Sequence, residues 1–185
     1  EESVAVPFLI SGPGIKSGAQ KWDEPISLMD LFPTTCALAG IPVPAGLDGV
    51  DQSEALATLD PAKVTQDYVT SSFYYYGVRI NFNQSSDQAP MRAMRLVRTR
   101  DWKFVQVEKG SELLFNLQDD PSENYNLVDD PAQAERVKTM RSKLERGFSW
   151  EEAHRRLEAD RERIPEFLSG KRPSMPNQYT LRDGR

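Results

Sequence analysis

The sequence predicts an α/β fold in which a small antiparallel sheet with a packed helix follows part of a larger α/β domain. Residues Val4–Ile10 are almost continuously apolar and predict a strand that needs cover on both faces, as the strands of α/β sheets do. Three short segments, Ala93–Thr99, Trp102–Val107 and Glu112–Leu117, are separated by turn residues. Their spacing predicts an antiparallel meander.

Two further segments complete the predicted elements ahead of the meander. Tyr68–Tyr76 is rich in aromatic and β-branched residues and predicts a fourth strand for the small sheet. The apolar stretch before Gly40 predicts a helix, with Asp30 as the N-cap and Pro33 in the first turn, where a missing N–H costs least. Gly40 is a natural terminator of that helix.

The helices after the meander have clear start signals. Asp130 and Pro131 predict an N-cap and a first helical residue, and Gly147 ends the helix. The segment Ser149–Glu152 predicts a capping box for a last helix, which Pro165 closes. The face of the first helix that we expect to pack on the meander consists of Ala134, Val137, Met140 and Leu144.

Composition excludes several classes of protein. The chain has 185 residues, with 23 basic and 28 acidic side chains and a net charge of −5, which argues against a nucleic-acid binder. No apolar run approaches the roughly 20 residues of a membrane span. The first residues have no basic region and no initiator Met, so we expect mid-protein sequence rather than a signal peptide. One cysteine excludes an internal disulfide framework and does not decide the compartment.

Four segments, in order, carry a family resemblance. Glu2–Ile15, with its Val-Pro and Gly-Pro-Gly-Ile, and the stretch Pro25–Gly49 resemble consecutive segments of sulfatases. Arg98–Phe104 resembles their "RTxxxKY" hairpin. Glu112–Leu127 resembles their "ELYDLxxDPxExxNL" signature. The ordered set covers most of residues 1–145 and identifies the chain as resembling the C-terminal portion of a sulfatase.

This resemblance implies the alkaline-phosphatase-like α/β sulfatase fold, with a small domain of four antiparallel strands and a packed helix. We therefore expect residues 1–60 to be the trailing end of a large α/β catalytic domain. Residues 61–148 would be the small α+β subdomain, and residues 149–185 a capped helix with an extended tail. In the family, a formylglycine made from the Cys or Ser of a Cys/Ser-x-Pro-x-Arg motif attacks the sulfate ester beside a calcium ion.

The chain departs from the family pattern at the chemistry itself. Cys36 is followed by Ala-Leu-Ala and not by x-Pro-x-Arg, so it cannot be the formylglycine precursor. No Asp-His-Gly or Asp-Asn-Gly metal motif is present. The resemblance therefore assigns no catalytic residue and no calcium ligand to this chain. We expect formylglycine and Ca²⁺ to be supplied by upstream sequence and the chain alone to be inactive.

Several residues of this chain are candidates for contacts with the substrate. The long polar loop Gly77–Pro90 is a candidate wall of the substrate cleft. Guanidinium groups match sulfate geometry, but we favour the interpretation that these arginines are alternate strand residues that face solvent. The candidate substrate-binding residues are Arg79, Asn83, Arg92 and Arg95, and Arg98 and Arg100 could also contact an anionic substrate.

Other chemistry-bearing residues have structural alternatives that we favour. For Cys36 we favour a small buried helix residue over a nucleophile, and for His154 a solvated helix face over a proton shuttle. For Asp119-Asp120 we favour a capped turn over a calcium site, because Asp before Pro initiates turns without a metal. For Asp48-Gly49 we favour a tight turn over a hinge.

The predicted function is hydrolysis of a sulfate ester, on a carbohydrate or an aryl alcohol, by the parent enzyme. The alternatives are a phosphonate or phosphate-ester hydrolase of the same superfamily and a non-catalytic binding module. The expected partners are a sulfated small molecule or carbohydrate, with self-association of the isolated chain through its unpaired apolar strand. The residues do not fix a compartment, and the resemblance implies a periplasmic or secreted enzyme.

Overall fold

A computed structural model describes residues 5–16, 18, 20–73 and 93–163 of the chain. It divides the chain into two compact units, Glu1–Arg146 and Gly147–Arg185. The division into parts at residues 60 and 148 stays a prediction. No helix in the described ranges is long and apolar enough to cross a membrane.

The centre of the first unit is a four-stranded antiparallel sheet. Its strands are β1 (Val69–Phe73), β2 (Met94–Arg98), β3 (Trp102–Val107) and β4 (Glu112–Asn116), in that spatial order. Each strand therefore pairs with its sequence neighbour, as the turn spacing predicts. The predicted meander is confirmed to within one residue at each strand end. The strand predicted over Tyr68–Tyr76 is confirmed for Val69–Phe73, and its last three predicted residues lie outside the described residues.

One helix covers one face of this sheet. After a short 3₁₀ turn at Pro131–Gln133, helix α3 runs from Ala134 to Glu145. The Asp130 side chain accepts a hydrogen bond from the Ala132 N–H, which confirms the predicted cap. The core joins three sheet residues in register, Val97, Phe104 and Leu114, to Val137, Met140 and Leu144 of α3.

Ala134 is the exception on the predicted face of α3, because it is exposed. It begins the helix directly after the 3₁₀ turn, and the buried stripe begins one turn later, at Val137. The loop that leads back to the helix is tied to the sheet, since the Leu127 N–H donates to the Leu114 carbonyl at 2.8 Å. The Asn126 side chain accepts from the Leu114 N–H at 2.9 Å.

Two short helices lie between the start of the chain and the sheet. Helix α1 spans Leu31–Leu38 after a 3₁₀ turn at Leu28–Asp30, and helix α2 spans Ser53–Thr58. Pro33 is buried in the first turn of α1, and Gly40, at φ 68°, follows its last turn as predicted. Leu59, the residue that follows α2, has a left-handed φ of 53°.

In this chain the predicted strand Val4–Ile10 is not formed over its described part, since residues 5–10 belong to no strand. Leu9 is 95% exposed and Val6 is 56% exposed. A strand is stable only as part of a hydrogen-bonded ladder, and the four paired strands in the described ranges lie far along the chain. The apolar pattern at Val4–Ile10 therefore has no partner strand among the described residues.

The second unit is described by helix α4, Trp150–Arg163. Its start is capped as predicted, because the Ser149 hydroxyl accepts from the Glu152 N–H at 3.3 Å. Glu152 accepts hydrogen bonds from Arg155 and Arg156, and these lower the pKa of its carboxyl to about 2. The predicted closing residue Pro165 lies outside the described residues.

Candidate functional site

The candidate substrate residue Arg95 points inward under helix α3. It is only 7% exposed, so the expectation that alternate arginines face solvent is wrong at this position. Its Nη1 donates to the Leu144 carbonyl at 2.6 Å, and its Nε donates to the Ser72 hydroxyl at 3.1 Å. The last carbonyls of a helix lack intrahelical partners, so Arg95 satisfies one of them and ties α3 to β1 and β2.

The neighbouring arginines serve the turn between β2 and β3. Arg98 donates to the carbonyls of Thr99 and Arg100. Arg100 pairs with Glu24 at 3.2 Å, which links this turn to the segment ahead of α1. The other three candidates, Arg79, Asn83 and Arg92, lie outside the described residues, and so does the predicted loop Gly77–Pro90. Their role in substrate binding therefore stays a prediction.

A lysine–glutamate pair on the other face of the sheet was not anticipated from the sequence. Lys103 of β3 is 6% exposed, and its Nζ lies 2.8 and 2.7 Å from the two carboxylate oxygens of Glu123. Burial works to raise the pKa of Glu123, but the hydrogen bond and charge of Lys103 act against it, and the pKa is lowered. The sequence did contain a signal for this pair, because Lys103 and Val105 are alternate residues and therefore lie on the same face of the strand.

Asp30 also has a role that the sequence pattern did not reveal. It is 4% exposed, and one oxygen accepts from the Ser27 N–H at 3.0 Å while the other accepts from the Val50 N–H at 2.9 Å. Asp30 is the N-cap residue of α1, as predicted, but its side chain makes no capping hydrogen bond to that helix, because it belongs to the capping box of the preceding 3₁₀ turn with Ser27. The carboxylate is used instead to hold the loop around Val50.

The Asp48-Gly49 turn is explained by close packing. A Cβ on Gly49 would lie 2.0 Å from the Met29 carbonyl oxygen, so the backbone must approach there without a side chain. Beyond this contact, the Thr34 hydroxyl accepts from the Gln52 N–H at 3.0 Å. These bonds fix the loop against α1, which gives the turn a structural role.

Cys36 and the Asp119-Asp120 turn follow their structural interpretations, whereas the solvated helix face expected for His154 is not confirmed. Cys36 is a buried free cysteine within α1. Asp120 accepts hydrogen bonds from the Asn124 side chain and the Tyr125 N–H, which confirms the capped turn. His154 lies within α4, half-buried. Within the described ranges no group of three or more His, Cys, Asp and Glu side chains is placed to hold a metal ion.

The segment before β1 exposes an unusual amount of apolar surface. Such surface, when contiguous, marks a contact with another part of a protein or with a partner. The small sheet and α3, in contrast, enclose a core of their own. The exposed apolar side chains of this segment are Val6, Phe8, Leu9, Leu28, Met29, Phe32, Ile41, Val43 and Leu47.

Comparison with known proteins decides the family. The family model for the C-terminal region of N-sulphoglucosamine sulphohydrolase matches residues 1–149 of this chain. The chain belongs to this sulfatase family. Human arylsulfatase K is 31% identical over 131 residues, which cover 69% of this chain and 23% of that protein. The Delta 4,5-hexuronate-2-O-sulfatase of Bacteroides thetaiotaomicron is 30% identical over 148 residues, or 78% of this chain and 28% of the enzyme.

The sulfatase fold is confirmed by solved structures as well. A 2-O GAG sulfatase superposes with a TM-score of 0.57 at 29% identity, covering 71% of this chain and 27% of that structure. The antiparallel sheet with its packed helix is therefore the C-terminal part of a sulfatase fold of the alkaline-phosphatase-like type. This sulfatase chain spans about a quarter of the length of the curated relatives it matches.

Proposed function

We propose that the protein of which this chain is a part hydrolyses sulfate esters of a carbohydrate. The observation that carries the proposal is the family match over residues 1–149. The carbohydrate class is supported by two relatives, one named as a hexuronate-2-O-sulfatase and one as a 2-O GAG sulfatase. These names describe those proteins, and they motivate the choice of substrates for the test.

The reactive groups would come from outside this chain. The family resemblance implies a formylglycine nucleophile and a calcium ion, but the residues described here do not fit either. Cys36 is buried in a helix without the x-Pro-x-Arg that marks the precursor. The described acidic side chains form no cluster of three that suits a cation. No step of the reaction is therefore assigned to this chain's residues.

The contribution of the chain would be a scaffold that presents substrate-contacting residues. The stretch of sequence that connects β1 to β2, which lies outside the described residues, contains the candidates Arg79, Asn83 and Arg92. Arg95 would support the start of this stretch, because it joins Ser72 of β1 to the C-terminal end of α3. A rigid base is what a binding loop needs, since precise positioning determines how much a contact contributes to catalysis.

The test compares the 185-residue chain with the complete sulfatase polypeptide that contains it. We expect the complete protein to release sulfate from a 2-O-sulfated hexuronate, and the chain alone to release none, because no described residue supplies an activated nucleophile. Turnover by the chain alone that disappears in Cys36→Ser or His154→Gln would overturn the assignment of chemistry.

The same assay separates the alternatives. A phosphonate monoester is assayed in parallel. If the complete protein prefers this substrate, the assignment changes from a sulfatase to a phosphonate or phosphate-ester hydrolase. Binding of the sulfated sugar without turnover by the complete protein would indicate a non-catalytic binding module. The variant Arg92→Gln tests whether Arg92 contacts the substrate. Its control is Lys109→Gln, which changes a residue in the exposed turn before β4.

A further inference from the structure

Strand β1 forms an open edge of the small sheet. The order of the strands places β1 at one edge and β4 at the other. The edge at β4 is covered, because the loop residues Asn126 and Leu127 form hydrogen bonds with the backbone of Leu114. No strand in the described ranges pairs with the outer side of β1. Alternate backbone N–H and C=O groups of such an edge strand point away from the sheet, where another strand can bind them.

The sequence of β1 lacks the features that usually keep an edge strand from pairing. Natural edge strands often contain a proline or a charged side chain that blocks a second strand. Strand β1 has neither, since its five residues are Val-Thr-Ser-Ser-Phe. Thr70 and Ser72 are exposed, and Phe73 is 54% exposed. The edge is therefore accessible and offers both backbone groups and an aromatic side chain.

Strand β1 is complementary to itself in the antiparallel orientation. The register that pairs all five residues places the Ser71 residues of two copies opposite each other. Thr70 of one copy then lies opposite Ser72 of the other. In the same way, Val69 lies opposite Phe73. Thr–Ser pairs and pairs of an aromatic with a β-branched residue are both favourable across two strands, and no like charges meet.

The helix that covers the sheet leaves room for this pairing. Helix α3 contacts β2 and β3. Strands in a sheet lie about 4.8 Å apart, so the α3 helices of two copies joined through β1 would be separated by four strand spacings, or about 19 Å. A helix with its side chains is only about 10–12 Å wide. The two helices would therefore not collide.

We propose that β1 pairs with β1 of a second copy of this chain about a two-fold axis at Ser71, which joins two four-stranded sheets into one continuous sheet. The interface is isologous, because both copies use the same surface. Backbone hydrogen bonds and the two Val69–Phe73 contacts supply its strength. The buried area is small, so we expect a dissociation constant between about 1 µM and about 1 mM. The inference is independent of the proposed sulfate hydrolysis, since it uses only residues of the small sheet.

Sedimentation velocity of the 185-residue chain at increasing concentrations measures the association. Ser71→Lys and Ser71→Glu each place two like charges opposite each other at the two-fold axis, so each variant alone should associate at least about tenfold more weakly. An equimolar mixture of the two brings Lys opposite Glu and should restore association. Ser142→Lys adds the same charge on the exposed side of α3 and should change nothing. Circular dichroism shows whether each variant keeps its fold.

A cysteine variant tests the register without a change of charge. Directly opposed Cα atoms lie about 4.5–5.5 Å apart, within the range of a disulfide, so Ser71→Cys should form a disulfide-linked dimer under mild oxidation. Thr70→Cys should not, because the two Thr70 residues are diagonal neighbours about 7–8 Å apart. The unchanged chain is the control, since its Cys36 is buried.

Three results would overturn the inference. The first is a chain that stays monomeric up to about 1 mM. The second is association that survives both charged variants, which would place the contact elsewhere on the chain. The third is equal cross-linking of Ser71→Cys and Thr70→Cys, which would reject the register centred on Ser71.

Discussion

At the scale of single residues, Lys103 and Glu123 show how the sheet tolerates charge on its second buried face. Placing an ammonium group where only 6% of the residue remains exposed is costly unless a counter-ion is close. Glu123 supplies both carboxylate oxygens, although its φ of 56° is unfavourable for a residue with a side chain. The ion pair thus holds a strained turn against β3.

Replacing Glu123 by Gln should lower the free energy of unfolding by about 2 kcal/mol, because the buried ammonium of Lys103 loses its counter-charge. Asp67→Asn is the matched control. It breaks the Lys143–Asp67 pair, in which the aspartate side chain is 68% exposed, and should cost less than about 1 kcal/mol. Urea unfolding followed by circular dichroism measures both. Equal losses in the two variants would contradict the role given to the buried pair.

The contact of Gly49 with the Met29 carbonyl gives a second prediction at this scale. Gly49→Ala places a Cβ 2.0 Å from that oxygen, so the loop must move. We expect the Val50 amide, which donates to Asp30, to exchange about tenfold faster or more. Gly46→Ala is the control, because Gly46 has a φ of 79° but no atom near its Cβ position. A similar effect of both changes on the Val50 amide would show that the close approach of Gly49 to the Met29 carbonyl is not what holds this loop.

At the scale of elements, helix α3 is attached to the sheet by polar contacts as well as by its core. Arg95 reaches its C-terminal carbonyl, and Arg141 binds Glu112 of β4 through two nitrogens, at 3.0 and 2.5 Å. Arg136 lies over the Trp102 ring at 4.0 Å. These contacts connect the helix to three strands, which explains why one short helix suffices to cover the sheet.

The bond between Glu112 and Arg141 predicts a pH dependence. The Arg141 hydrogen bond is the main reason that the pKa of Glu112 is lowered. The stabilisation is therefore complete above the ordinary glutamate pKa of about 4.3 and is lost as the pH falls through the lower, folded-state pKa. Glu112→Gln should cost about 1 kcal/mol at pH 7, allowing for the partly exposed arginine, and progressively less below about pH 4.

Urea unfolding at pH 7, pH 4 and pH 3 measures this dependence. The control is Glu135→Gln, which changes an exposed residue in the first turn of the same helix. Its effect on the free energy of unfolding should be small, and it should not decrease as the pH falls. A cost of Glu112→Gln that stays constant down to pH 3 would show that the carboxylate charge is not what holds the helix to β4.

The accuracy of the sequence predictions follows from how local each signal is. The strands of the meander and the cap at Asp130 depend on alternation and on turn residues a few positions apart, and these were predicted nearly to the residue. The inward turn of Arg95 depends on a helix 49 residues away, and the carboxylate of Asp30 on a loop 20 residues away. No local pattern contains such partners. The family likeness carried the sulfatase assignment, which composition alone would not provide.

At the scale of the whole molecule, the first unit contains two regions that differ in how much of their apolar surface is buried. The sheet and α3 enclose six buried apolar residues between them. The segment before β1 has a smaller interior, around Ala55, Leu56 and the buried Cys36, and leaves nine large apolar side chains exposed up to Leu47. Because apolar burial is the main stabilising term in folding, the second region should be the less stable one in the isolated chain.

Native-state hydrogen exchange of the dilute 185-residue chain tests this difference directly. Amides of Trp102–Val107 should exchange roughly a thousandfold more slowly than those of residues 5–10, because β3 is paired on both sides and residues 5–10 have no ladder. In the complete sulfatase polypeptide, residues 5–10 should become protected while β3 changes little. If residues 5–10 are already as slow as β3 in the dilute chain, the apolar segment satisfies its own hydrogen bonds, and it is not the edge of a larger sheet.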